Sequence, residues 1–202
     1  MMLETALRQL LDSSALELAA VGLAIAYLVL VVREKIACWY MAFVSTAIYF
    51  FIFIDVRLYM EAGLQVFYLA MAVYGWYEWR FGGRRGSGVP ISTWSPARHA
   101  ISIGAIVVAT GLSTWLLTAY TDAQLPLLDS FTTWGAIVTT FMVARKVLEN
   151  WVYWFVIDAV SIYLYLDREL YFTAALFAVY LVIIGFGFSA WLRHYRTQMA
   201  VA

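Results

Sequence analysis

The chain reads as an all-α polytopic membrane protein, and three observations lead there. Of its 202 residues, 64% are hydrophobic and only 13% charged, against about 45–50% apolar and ~25% charged in an average soluble domain. Apolar runs of about 20 residues, the length a bilayer-crossing helix needs, recur seven times along the chain. Lys and Arg collect in alternate breaks between those runs, the bias that marks cytoplasmic loops.

The expected spans are 14–32, 36–54, 58–79, 98–120, 128–144, 148–166 and 170–192. Short charged breaks separate most of them: REK from Arg33, DVR from Asp55, ARK from Ala144 and DRE from Asp167. Only 80–97 and 121–127 have loop length, rich in Gly, Pro and Asp. One side of the membrane would hold Arg33, Lys35, Arg80, Arg84, Arg85, Arg98, Arg145, Lys146, Arg193 and Arg196, leaving only Arg8, Arg57 and Arg168 opposite. That bias places the N-terminus outside and the tail, 193–202, in the cytoplasm. In the first segment, 1–13, Leu3, Leu7, Leu10 and Leu11 are spaced as in a short interfacial helix. No basic start with a clean apolar run marks a cleavable signal.

The composition also narrows the chemistry. Net charge is zero, so nothing points to nucleic acid. Cys38 is the sole cysteine, and His99 and His194 sit beside arginines near span ends, so neither a metal nor a cofactor is expected. An HExxH pair is absent, and one intramembrane carboxylate does not make an aspartyl dyad. The reading is therefore not an enzyme.

Shifting the chain against itself by 112 residues aligns Arg33 with Arg145, Trp39 with Trp151, Phe43 with Phe155 and Asp55 with Asp167. It also aligns Tyr59 with Tyr171, Tyr68 with Tyr180, Gly75 with Gly187 and Trp79 with Trp191. Apolar composition yields chance Leu and Val matches, but not this set. Two three-span units, 14–79 and 128–192, are expected, joined by a span at 98–120. Three crossings invert a chain and a fourth restores it, so the units run parallel in a 3-1-3 arrangement. Such repeats are a transporter architecture, with substrate held between the halves.

Asp158 supplies the chemistry. It lies 12 residues after Lys146 and 9 before Asp167, roughly 18 Å and ~13 Å along a helix axis. An aspartate that deep costs about 2.5–3.5 kcal/mol to insert and turns toward an interior or a partner. Asn150, Trp154, Asp158, Ser161 and Tyr165 share one helix face, while Val152, Phe155, Val156 and Val160 take the other. The polar face suits a wet cavity wall, or alternatively a hydrogen-bonded seam between helices. At the 112-residue offset Asp158 meets Thr46, Asn150 meets Cys38 and Gln65 meets Phe177, so the polar groups are not duplicated. One carboxylate among Trp154, Tyr49, Tyr68, Tyr165 and Tyr180 suits a flat cation, with Gln65 and Asn150 reading polar edges. No Lys or Arg stands at the midplane for a phosphate. Glu149, at the basic end, is within reach of headgroups or Arg145.

The stretches RKVLENWVYWFVIDAVS, LYFTAALFAVY and LQVFYLAMAVYGWYEW resemble the Pnu-type vitamin transporters over nearly the whole chain. The resemblance implies the 3-1-3 fold shared with SWEET-like transporters. It also implies facilitated diffusion of nicotinamide riboside across the bacterial inner membrane, with phosphorylation trapping the vitamin inside. On its motifs Gln65, Asn150 and Trp154 would contact substrate. Thiamine, another flat cation, is the alternative cargo, and a proton-coupled carrier using Asp158 the alternative mechanism. The partners expected are a vitamin and the bilayer, and the sequence is compatible with a homo-oligomer.

Overall fold

A computed structural model describes residues 4–5, 8–9, 15–55, 59–83, 86–122 and 125–201. Among them run seven long helices: α1 (Ala15–Val32), α2 (Cys38–Asp55), α3 (Tyr59–Phe81), α4 (Pro96–Tyr120), α5 (Pro126–Ala144), α6 (Asn150–Asp167) and α7 (Tyr171–Val201). Most of 1–13, and Arg57, Arg84 and Arg85 with their topological charge, lie outside the described residues. Where Gln9 is described, its amide donates to the Glu169 carbonyl at 2.9 Å and accepts from the Phe172 N–H at 3.0 Å. That side chain ties the chain start to the turn between α6 and α7.

The helix ends follow local chemistry. Ser95 caps α4, its Oγ accepting from the Arg98 N–H, and Pro96 stands at the first turn where its missing N–H costs nothing. After α1, the Lys35 N–H reaches the Leu30 carbonyl at 2.9 Å and Glu34 N–H reaches Val31 at 3.0 Å. After α5, Val147 reaches Met142 at 2.9 Å and Lys146 reaches Val143 at 3.0 Å. Both are Schellman closures, and both put a non-glycine residue in the left-handed region: Glu34 at φ 52 and Lys146 at φ 48. The segment after α3 then folds back across this end. Ser92 exchanges hydrogen bonds with Lys146 and Leu148 at 3.0 and 2.8 Å, burying Val89 and Ile91 against the bundle.

The helices pack as a closed sequence: α1 on α2, α2 on α3, α3 on α5, α5 on α6, α6 on α7, and α7 back on α1, with α4 outside against α5. Four helices are long and apolar enough to cross a membrane: α1, α4, α5 and Tyr171–Ala200 within α7. Helix α2 is largely apolar from Cys38 to Ile54 and ends on Asp55. Helices α3 and α6 carry Gln65 and Glu78, and Asn150 and Asp158, so interior polarity lowers the hydropathy by which a span is recognised. The protein is thus an all-helical, multi-pass membrane protein.

Two Trp–Gly contacts set the helix spacing. Trp39 of α2 lies flat on Gly75 of α3, and Trp151 of α6 lies on Gly187 of α7; a Cβ at either glycine would overlap the indole. Replacing Gly187 by Leu should therefore overpack the α6–α7 contact and cost about 1–3 kcal/mol. Gly185→Leu, where a Cβ meets open space, should leave the melting temperature of the detergent-solubilised protein nearly unchanged.

Candidate functional site

Four tryptophans extend inward from those contacts. Trp39 meets Trp79 edge-on at 5.5 Å and 89°, and Trp151 meets Trp191 at 5.4 Å and 89°. Trp79 and Trp191 then meet each other at 6.2 Å. Their indoles cross to opposite sides: Trp79 Nε1 donates to the Val143 carbonyl at 3.2 Å, and Trp191 Nε1 to the Val31 carbonyl at 3.0 Å. Each contact has a counterpart 112 residues along.

One pair joins equivalent positions of opposite charge. Lys146 Nζ donates to the Glu34 carboxylate at 3.0 Å across 112 residues of sequence, with both side chains largely buried. The same ammonium stands 4.6 Å above the Trp79 ring, and His194 Nδ1 contacts the other oxygen of Glu34. A non-glycine residue held left-handed costs on the order of 1–3 kcal/mol and persists where its surroundings demand it. Here the Schellman closures demand it, as at Glu169 (φ 58), which closes α6 in the same way. The four rings and the pair close the end of the bundle that carries Arg33, Lys35, Arg145 and Arg193.

Farther in, α6 turns its polar stripe to the interior. Asn150, Asp158 and Ser161 are 0%, 4% and 6% exposed, and Trp154 and Tyr165 are half-buried. Val152, Phe155 and Val156, on the other face, are about half exposed. Tyr180 of α7 lies within electrostatic reach of Tyr49 of α2 and of Asp158 and Tyr165 of α6. Tyr165 and Tyr180 both pack on Phe177, at 5.1 and 5.4 Å. Tyr180 thus stands near both Tyr49 and Asp158, and that acid has no ion-pair partner among the described residues. The Asn150 amide donates to the Val147 carbonyl at 2.6 Å, while its buried Oδ1 meets no donor.

On α3, Gln65 and Tyr68 are half-buried on the side of Ala72, opposite the exposed Val66 and Val73. Tyr68 approaches Tyr27 of α1, a residue the sequence did not single out. Tyr27, Glu17 near Tyr49, and the Glu34–Lys146 pair all carry unremarkable signals in sequence. Glu149 does not pair with Arg145. Its carboxylate takes the Trp94 N–H at 3.4 Å and lies 3.8 Å from His99, while Arg145 binds Glu78 at 3.0 Å, because the returning loop brings Trp94 and His99 to it first. His99 also bonds the Tyr153 hydroxyl at 2.9 Å. Among the described residues no group of three His, Cys, Asp or Glu side chains converges as for a metal.

A multi-pass helical bundle with a buried acid in an aromatic interior has the form of a small-molecule carrier. The chain belongs to the nicotinamide mononucleotide transporter family, whose sequence profile matches residues 14–193, and so to the Pnu-type vitamin transporters. It is 24% identical over 190 residues to the nicotinamide riboside transporter PnuC of Escherichia coli, covering 82% of this chain and 80% of that one. It is 29% identical over 175 residues to the riboflavin/roseoflavin transporter RibM of Streptomyces davaonensis, covering 84% and 81%. The crystal structure of the vitamin B3 transporter PnuC shares its fold, with a TM-score of 0.72 at 20% identity over 97% of this chain and 88% of that chain.

The Glu34–Lys146 pair is open to a charge-swap test. Glu34→Lys and Lys146→Glu should each destabilise the protein, and the double variant should recover a coupling of about 0.5–3 kcal/mol in thermal unfolding. Additive losses would mean that the two charges do not interact.

Proposed function

We propose that the protein carries nicotinamide riboside by facilitated diffusion across the bacterial inner membrane, with a separate kinase trapping the vitamin by phosphorylation. The observation that carries this reading is Asp158, an acid 4% exposed and near Tyr180, which Tyr49 and Tyr165 also approach. A pyridinium ring brings the positive charge that an unpaired buried carboxylate lacks, and aromatic faces favour the same charge by about 0.5–2 kcal/mol. The free Oδ1 of Asn150, with Trp154, Ser161, Gln65 and Tyr68, would meet the ribose and amide. A mononucleotide suits the interior less well. Its phosphate would need a cation, and Lys146 is already held by Glu34.

In this reading all seven helices cross the membrane as 3-1-3, with parallel units at 14–79 and 128–192 and the linking span at 98–120. The repeated Trp–Gly contacts and crossed indole bonds support it. The basic end faces the cytoplasm and the N-terminus lies outside. The Trp39–Trp79–Trp191–Trp151 row and the Glu34–Lys146 pair then form the closed inner barrier of a carrier whose substrate enters from outside. No catalytic chemistry is assigned to the chain.

Thiamine shares the cationic ring and is the second reading; riboflavin, which RibM carries, has a neutral ring and no use for the charge of Asp158. Calorimetry with the three vitamins side by side separates them. Asp158→Asn should weaken nicotinamide riboside binding by about ten-fold or more, the loss of a hydrogen bond or contact to a charged group worth ~1.5–3 kcal/mol. Unchanged affinity would remove Asp158 from the site. Uptake into proteoliposomes should persist with uncoupler present; collapse would instead make Asp158 a proton site.

A further inference from the structure

We infer that the cleft between α3, α4 and α5 at the basic end of the bundle binds the phosphate of an anionic phospholipid. The cleft holds about 350 Å³ beneath α4, which packs outside the ring of the other helices, and Asp158 is not on its walls. Arg98 and Arg145 stand on its walls with the hydroxyl of Ser102. Arg98 and Ser102 are four residues apart on α4 and so point the same way.

The two guanidiniums are not equivalent. Arg145 is bound at 3.0 Å to Glu78, which is 9% exposed, and shares the cleft wall with Tyr74. The ion pair fixes it in place. Arg98 is exposed, and its guanidinium makes no ion pair among the described residues. Two cations facing one carboxylate leave a positive charge unmet beside a hydroxyl donor. Guanidinium and hydroxyl donors are the set a phosphate diester takes.

The rest of the cleft is apolar and leads into the bilayer. Tyr74 and Phe141 stack at 6.0 Å and 6° along one wall, with Trp94 at the rim. Ile101, 71% exposed, starts a row on α4 that continues through Val108, Leu112 and Trp115, all more than half exposed. A ligand seated on Arg98 would therefore extend hydrocarbon along α4. A soluble phosphate ester would satisfy the arginines but leave that row unused. Basic pockets between helices at the cytoplasmic leaflet bind headgroups in this way.

The test uses the full chain, purified in detergent, with no vitamin present. Native mass spectrometry after addition of dioleoyl phosphatidylglycerol or dioleoyl phosphatidylcholine should show the first retained and the second lost. Arg98→Gln should reduce phosphatidylglycerol retention by about ten-fold or more at an unchanged melting temperature, since Arg98 is exposed and unpaired. Equal retention of the two lipids would overturn the proposal, as would full retention by the variant. Displacement by glycerophosphate at matched concentration would overturn the lipid assignment and place a soluble phosphate ester in the cleft. These readings are independent of vitamin binding, so their failure leaves the transport reading untouched, and the reverse also holds.

Discussion

The seating of an indole on a bare glycine, made once between α2 and α3 and again between α6 and α7, is the contact on which the rest of the bundle depends. Within a bilayer, helices gain little from leaving lipid, so close van der Waals approach carries association. Glycine permits that approach, and tryptophan fills it with a large rigid ring. Once Trp39 and Trp151 are seated, Trp79 and Trp191 are pushed toward each other and donate across the bundle. The helix ends that close beneath them bring Glu34 and Lys146 together.

Matched packing and unmatched chemistry then divide the labour. Trp, Gly and the Schellman closures recur at one offset, so both halves present the same surfaces to each other. The polar groups do not recur. Glu34 faces Lys146 because the two equivalent positions carry opposite charges, where like charges would repel. Asp158 is matched by Thr46 in the equivalent position, so that acid is not duplicated. A symmetric scaffold with a one-sided lining can hold an asymmetric small molecule, as the proposed riboside is.

Much of this was visible in the residues. The stripe from Asn150 to Tyr165 faces inward as its spacing predicts, because burial of a carboxylate in lipid leaves no other choice. The pairing of Arg145 was not visible. Glu78 and Glu149 both lie near the basic end, and only the path of the loop through Trp94 decides which acid each cation or N–H reaches. Hydropathy likewise under-reads α3 and α6, since the side chains that line an interior are the ones that lower it.

By itself the sequence determined the all-helical membrane class, the duplicated aromatic and glycine positions, and the inward side of α6. Those properties are local: each depends on composition or on a period of a few residues. The tertiary structure alone decided that α7 closes on α1, that Lys146 rests between Glu34 and the Trp79 ring, and that Tyr49 of α2 and Asp158 of α6 both approach Tyr180. These are contacts between segments far apart in the chain, and no short-range pattern encodes which distant surface a helix will meet.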